Sequence, residues 1–262
     1  MTEELASMKA QVYKDPRPPE YFERFHERSR TRKPDWVYEF VRCVMTPFNL
    51  FFFRARCIAS EHVPPAGPVI LAPNHFSFND HFFLAMFQRR KVQFMAKSQL
   101  FTRPLQFIFN HGGVFPVRRG YKDEEAFITA EAILARGGMV AMYCEGGRSR
   151  TGDLSDKPKP GIGRLALESG AKVVPVAIHG SSKVRNWKRL QFPKVTVHYG
   201  EALSFEHVHD PARERQQAVA EEIFAEIKQL YAGLDRHGRK GIIQRVRAQR
   251  RAERRQRRTA TA

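Results

Sequence analysis

The chain has 262 residues, 42% of them hydrophobic, and a formal net charge of +18 at pH 7. That size suits one medium-sized domain with a full core, and the charge predicts a polyanionic partner: nucleic acid, anionic lipid headgroups or a phosphorylated substrate. Cys43, Cys57 and Cys144 are scattered with no Cys-x-x-Cys pair, which excludes a zinc or redox site of that type and is compatible with a reducing cytoplasm.

The first residues, Met1-Thr-Glu-Glu-Leu-Ala-Ser-Met-Lys9, lack a basic region followed by an apolar one, so no signal peptide is expected. Residues 1–34 read as a polar arm. Residues 36–57 are aromatic-rich, with Arg42, Arg54 and Arg56 in or beside them. The stretch from Trp36 to Phe53 also contains Glu39, Pro47 and Asn49, which argues against a membrane-spanning helix. Two readings stay open for it: an interfacial helix pair bent at Pro47, with rings in lipid and arginines at headgroups, or a helix packed on the domain's own core.

From residue 63 strands and helices alternate. Apolar runs at 68–72, 92–96, 113–117, 139–144, 172–178 and 195–199 read as strands. Helical patterns occupy 80–87, 105–109, 124–135, 162–168 and 213–231, and Gly137-Gly138 and Gly170 supply stop signals. No internal repeat is visible. The pattern predicts an α/β fold: a single domain with a largely parallel twisted sheet, helices on both faces, and an amphipathic helical segment before it. The predicted division is an arm and helical segment at 1–57, the domain at 58–235, and a basic tail at 236–262. That tail holds eleven Lys or Arg against one acid, Glu253. It reads as disordered, with Ile242, Ile243 and Val246 as a weak apolar face. It is either a solvated tail or a contact for anionic lipid or nucleic acid.

In such sheets, sites lie at the carboxyl ends of strands. The first candidate is Asn74-His75-Phe-Ser-Phe-Asn-Asp80, directly after the first buried run. On one continuous helix His75 and Asp80 would be about 140° apart, so they can meet only if His75 precedes the helix. Ser77 supplies that break as an N-cap, with Asp80 at N3 as in a capping box. The carboxylate would then fix the imidazole tautomer and leave the other nitrogen as a general base. Three other readings compete: a structural histidine, Asp80 as a cap alone, and a metal site with His81, which no second ligand cluster supports. Ser149 and Ser181 lack a nucleophile elbow, which favours direct transfer to an alcohol over an acyl-enzyme.

Further along, Met139 to Cys144 runs into Glu145-Gly146-Gly147-Arg148-Ser149-Arg150-Thr-Gly152, a Gly-rich loop with two arginines. Glycines let backbone amides approach an anion, and arginine forks bind phosphate. Phe115-Pro-Val-Arg118-Arg119-Gly120 is a second basic loop after an apolar run.

These residues resemble the 1-acylglycerol-3-phosphate acyltransferase family of lysophospholipid and glycerolipid acyltransferases, over roughly residues 60–205. Four ordered blocks carry the resemblance: Asn74-His75 to Asp80, Gly113 to Gly120, Glu145-Gly-Gly-Arg148-Ser149, and Val173-Val-Pro175-Val-Ala-Ile178. It implies acyl transfer from acyl-CoA or acyl carrier protein, as co-substrate, to a lysophospholipid such as 1-acylglycerol 3-phosphate, without a cofactor or metal. His75 would be the base and Asp80 its orienter. Arg148 would bind the acceptor phosphate, with Glu145, Gly146, Gly147, Arg119 and, more weakly, Lys97 assisting, while Pro175 would shape the wall. Gly147 departs from the family's threonine, and Arg118 from its common aspartate. Both departures touch the expected acceptor pocket and leave glycerol 3-phosphate or another lysolipid open as acceptor. An anionic membrane surface is the expected partner, at the cytoplasmic face and without nucleic acid. A non-enzymatic basic binding module is the competing class.

Overall fold

In the computed structural model, which describes residue 5, residues 14–121 and residues 123–260, the strands are β1 (Arg56–Ile58), β2 (Val69–Pro73), β3 (Gln93–Lys97), β4 (Val114–Val117), β5 (Met139–Ala141), β6 (Lys172–His179) and β7 (Thr196–Tyr199). They form one sheet in the order β1-β7-β6-β2-β5-β3-β4. Every pairing is parallel except β6 with β7. The helices are α1 (Glu20–Thr31), α2 (Trp36–Phe52), α3 (Asp80–Ala85), α4 (Leu105–His111), α5 (Glu124–Ala135), α6 (Gly161–Ser169) and α7 (Arg213–Ala260). The alternating pattern thus gives the expected mostly parallel sheet, and the six predicted runs each overlap a strand.

Strand β2 is buried at all its positions because its two faces feed two cores. Val69 and Leu71 pack with Tyr38, Phe53, Phe83 and Leu84. Ile70 packs on the other side with Ile133, Leu165, Phe224 and Ile227. Since Tyr38 and Phe53 belong to the first core, residues 36–57 are part of the domain and not an appendage. Strand β1 also straddles the expected boundary at residue 57. Three residues with an exposed Arg56 carry too little apolar pattern to announce a strand.

Both sheet edges are covered, which removes the pairing hazard of open edges. At the β4 edge, Phe22 and Phe25 of α1 pack with Ala96, Phe101 and Val114. At the β1 edge the cover comes from the basic tail. Residues 236–262 were expected to be disordered, yet α7 continues to Ala260, broken at Gly238 (φ 61°, ψ 171°). Past that break Ile242 and Val246 pack with Ile58, Ala59 and Ala177. The Arg239 guanidinium donates to Thr196 Oγ1 (2.8 Å), Val195 O (2.7 Å) and Arg54 O (2.7 Å), and Arg250 pairs with Glu61. Few apolar residues suffice because the arginines bond the edge directly.

Of the two readings of residues 36–57, the helix pair bent at Pro47 is not what forms: Trp36–Phe52 is one helix, α2, started by Asp35 accepting from Val37 N–H at 3.0 Å. Proline deprives the carbonyl four residues back of its partner. That residue is Cys43, which is exposed, so water can serve the carbonyl. The outer side of α2 presents Trp36, Phe40 and Phe51, 66, 61 and 78% exposed, and Leu105, Phe107 and Ile108 of α4 are also exposed. Among the described residues no helix is long and apolar enough to cross a membrane.

Candidate active site

The site forms where β2 and β5 end side by side. Beyond its last paired residue, β5 keeps following β2: Met142 N–H donates to Leu71 O (3.0 Å) and Cys144 N–H to Pro73 O (3.4 Å). This continued pairing delivers Glu145 next to His75. Gly146, at φ 66°, then turns the chain, with its N–H on Tyr143 O at 3.1 Å. Gly147 adopts no positive φ, so its backbone does not require glycine. Asn74 fastens the other side, donating from Nδ2 to Ile178 O (3.2 Å) and accepting from Ile178 N–H (2.7 Å), which continues the β2–β6 ladder through a side chain.

His75 and Asp80 meet as the spacing predicts. The His75 Nδ1 lies 2.9 Å from Asp80 Oδ2. The same oxygen accepts Phe76 N–H (2.7 Å) and Ser77 N–H (2.8 Å). The local break differs in detail from a full capping box. Asp80 does reach back to Ser77 N–H, but Ser77 Oγ accepts from Asn79 N–H at 3.1 Å, and α3 begins at Asp80 with Asn79 before it. A carboxylate can only accept, so Nδ1 carries the proton and Nε2 the lone pair. Burial lowers the His75 pKa below its ordinary 6.5. Asp80 opposes that shift, and the charges of Arg148 and Arg119 add to it. The imidazole is therefore neutral near pH 7, the form a base requires.

Two aromatic rings frame His75 that the sequence did not single out for this purpose. Tyr143 stacks on it, centroids 3.8 Å apart and planes 21° apart, and His81 meets it edge-on at 5.4 Å. His81 Nδ1 bonds Phe78 O at 2.9 Å, and burial drives its pKa down to about 4, so it contributes no charge near neutrality.

The basic residues gather as expected, with one exception. Arg148 and Arg119 both act on His75 and on Lys97, whose pKa is lowered by burial and by those two guanidinium charges. Lys97 ends β3 and Arg119 follows β4, so adjacent strand ends supply them. Arg148 has no carboxylate partner among the described residues. Arg118 is the exception: it turns to the N-terminal arm, donating to Arg17 O (3.1 Å) and lying over the Tyr121 ring at 4.4 Å. The departure at Arg118 therefore bears on how the arm docks and not on an acceptor pocket.

Glu145 is committed to the protein's own backbone. Oε2 accepts His75 N–H (3.0 Å) and Oε1 accepts Ser155 N–H (3.2 Å). Burial raises its pKa to about 7 against those two hydrogen bonds. It braces the two loops, a role that only the β2–β5 adjacency reveals. Cys144 is buried, and burial pushes its thiol pKa far up, so it offers no thiolate. Among the described residues no group of three His, Cys, Asp or Glu could hold a metal ion.

Comparison with known proteins agrees with this geometry. Residues 54–179 match the Acyltransferase family model. A human 1-acyl-sn-glycerol-3-phosphate acyltransferase beta is 30% identical over 155 residues, 57% of this chain and 55% of that protein. A chloroplastic 1-acyl-sn-glycerol-3-phosphate acyltransferase of Arabidopsis thaliana is 26% identical over 51% of this chain and 38% of its own length. A glycerol-3-phosphate acyltransferase of Aeromonas hydrophila is 32% identical over 44% of this chain and 15% of its own. The chain thus spans only part of the length of the curated relatives it matches. The crystal structure of the 1-acyl-sn-glycerophosphate acyltransferase PlsC from Thermotoga maritima superposes with a TM-score of 0.56 at 22% identity, covering 80% of this chain and 88% of that one, and so shares its fold. The segment that matches the Acyltransferase family model holds the His75–Asp80 pair, both basic loops and β6.

Proposed function

We propose that this chain transfers a fatty acyl group from acyl-CoA or acyl carrier protein to the free hydroxyl of 1-acylglycerol 3-phosphate, giving phosphatidic acid. The observation that carries the reading is a neutral, carboxylate-oriented imidazole facing a loop whose Arg148 has no carboxylate partner among the described residues. His75 Nε2 takes the proton of the acceptor hydroxyl as its oxygen attacks the thioester carbonyl. Collapse of the tetrahedral intermediate expels the thiolate, and the imidazolium returns the proton to it. Asp80 stabilises the imidazolium in between. Arg148, with Arg119 and Lys97, holds the acceptor phosphate. The buried Cys144 thiol supports direct transfer without an acyl-enzyme.

A second reading keeps the chemistry and changes the acceptor to glycerol 3-phosphate, which is favoured by the Aeromonas relative's name. Both acceptors carry the phosphate that the basic cluster suits. Purified protein given an acyl thioester and each acceptor in turn tests both. Preference for lysophosphatidate is the expected outcome, and near-wild-type turnover by His75→Ala would remove the mechanism altogether.

The exposed rings of α2 and α4 support a peripheral contact with a membrane surface, with rings among the acyl chains and Arg42 and Arg54 at headgroup level. We propose that this contact is with the cytoplasmic leaflet.

A further inference from the structure

We infer that Arg185 is a positioning residue that sets the separation between the His75 loop and the Arg148 loop. It lies in the short 3-10 segment Ser181–Arg189 after β6, outside all four blocks that carry the family resemblance. Its Nε donates to Phe76 O at 3.1 Å, one residue past His75. Its Nη1 donates to Arg150 O at 2.9 Å and its Nη2 to Ser149 O, just past Arg148. A single guanidinium therefore ties together the chain on both sides of the reaction centre. Two further links run directly between the loops, from Ser149 N–H to His75 O at 2.9 Å and from His75 N–H to Glu145 Oε2 at 3.0 Å.

Two features separate this from an ordinary surface arginine. Among the described residues no carboxylate pairs with Arg185; it bonds three neutral carbonyls, although burial and the Arg148 charge weigh against its own and only the Asp80 charge favours it. Its neighbours Val184 and Asn186 are 2 and 1% exposed, so its backbone is pinned. Three carbonyls at fixed angles match the planar fork of arginine. Lysine, a point charge on a flexible stem, cannot bond all three together.

The consequence rests on the proposed roles of His75 and Arg148. A phosphorylated acceptor must reach both groups at once, so a change in their separation misplaces its hydroxyl. A misplacement of about 1 Å costs on the order of 10²-fold in rate.

The test uses the full chain with lysophosphatidate as acceptor. Arg185→Ala is expected to lose about 10²-fold in kcat/KM, and millimolar guanidinium should restore a large part of it, whereas methylammonium should not. A loss of less than a few-fold, or a folded variant whose deficit guanidinium leaves untouched, overturns the inference. Arg185→Lys guards against a folding defect in the alanine variant. With an unchanged circular dichroism spectrum it should still lose about tenfold, and wild-type turnover would overturn the inference equally. His75→Ala run in parallel separates the two claims. If it stays active, the proposed function fails; if it is inactive while both Arg185 variants behave as wild type, the positioning role alone fails.

Discussion

The two halves of the site are built in opposite ways. Around His75 and Asp80 the hydrogen bonds converge: one carboxylate oxygen gathers an imidazole and two backbone N–H groups, and Tyr143 stacks on the ring. Around Lys97 and Arg148 like charges face one another, and neither has a carboxylate partner among the described residues. A cluster tied at three donors is fixed before substrate arrives. A repelling one gains by taking up an anion. On the proposed function, the contrast separates the half that does the chemistry from the half that selects what undergoes it.

The largest effect should come from breaking the bonded half. Asp80→Asn keeps the shape but removes the negative charge from the oxygen on which three donors converge, and it can present its NH₂ to Nδ1 and so select the wrong tautomer. In a triad such a change costs roughly 10⁴-fold in kcat, and a loss of about 10³–10⁴-fold is expected here by the same logic. The loss should appear in kcat with KM little changed. A fall confined to KM would mean that Asp80 serves as a helix cap and not as the orienter of a base.

Breaking the repelling half should give a smaller and more selective effect. Arg148→Gln is expected to lower kcat/KM by about 10²-fold with lysophosphatidate and by only a few-fold with a monoacylglycerol, which lacks the phosphate. It should also move the pH profile. The His75 pKa is held below 6.5 by burial and by the arginines, so the base form dominates at neutral pH and activity falls as acid protonates it, below pH 6.5. Removing the Arg148 charge relaxes that shift, so the acid limb should move up toward 6.5. Glu145 titrates at about 7 and would confuse the profile, so the limb should be checked in Glu145→Gln, where it must persist if His75 is its source.

Much of this comparison was legible in the sequence, for particular reasons. His75 and Asp80 are close in the chain, and the helix start between them is a local signal that Ser77 partly carries. The strands were readable because buried parallel strands are short unbroken apolar runs. What was not legible depends on distant neighbours. Glu145 reads as a substrate ligand until β5 lies beside β2 and its oxygens meet His75 N–H and Ser155 N–H. Arg118 and Arg119 are indistinguishable as letters, and only the docked arm draws Arg118 away. The antiparallel direction of β7 and the presence of the three-residue β1 leave no periodic trace. The tail misled by its charge: a composition argument counts arginines but does not see that Arg239 and Arg250 bond the edge of the sheet.

The contrast between a committed and an uncommitted surface recurs on the outside of the molecule. The exposed rings of α2 face away from both cores, so replacing them should leave the chemistry intact. Phe40→Ser with Phe51→Ser is expected to weaken binding to anionic vesicles by about tenfold or more, since full burial of one such ring is worth about 1.5–3 kcal/mol. Turnover of a short-chain soluble acceptor should not change. Loss of that turnover would show that the rings hold the fold and not the membrane.

The smallest effect should divide α7 itself. Ile242 is 7% exposed against Ile58 and Ala59, so Ile242→Ala should destabilise the domain by about 2 kcal/mol, seen as a lower Tm. Arg250→Ala, which breaks the half-exposed pair with Glu61, should cost less, about 0–1 kcal/mol, since exposed ion pairs contribute little. If Arg250→Ala lowers Tm as much as Ile242→Ala does, the ion pair and not the apolar contact holds α7 on the β1 edge. If neither variant changes Tm, α7 beyond Gly238 adds nothing to stability, and its arginines must then be explained by a partner alone.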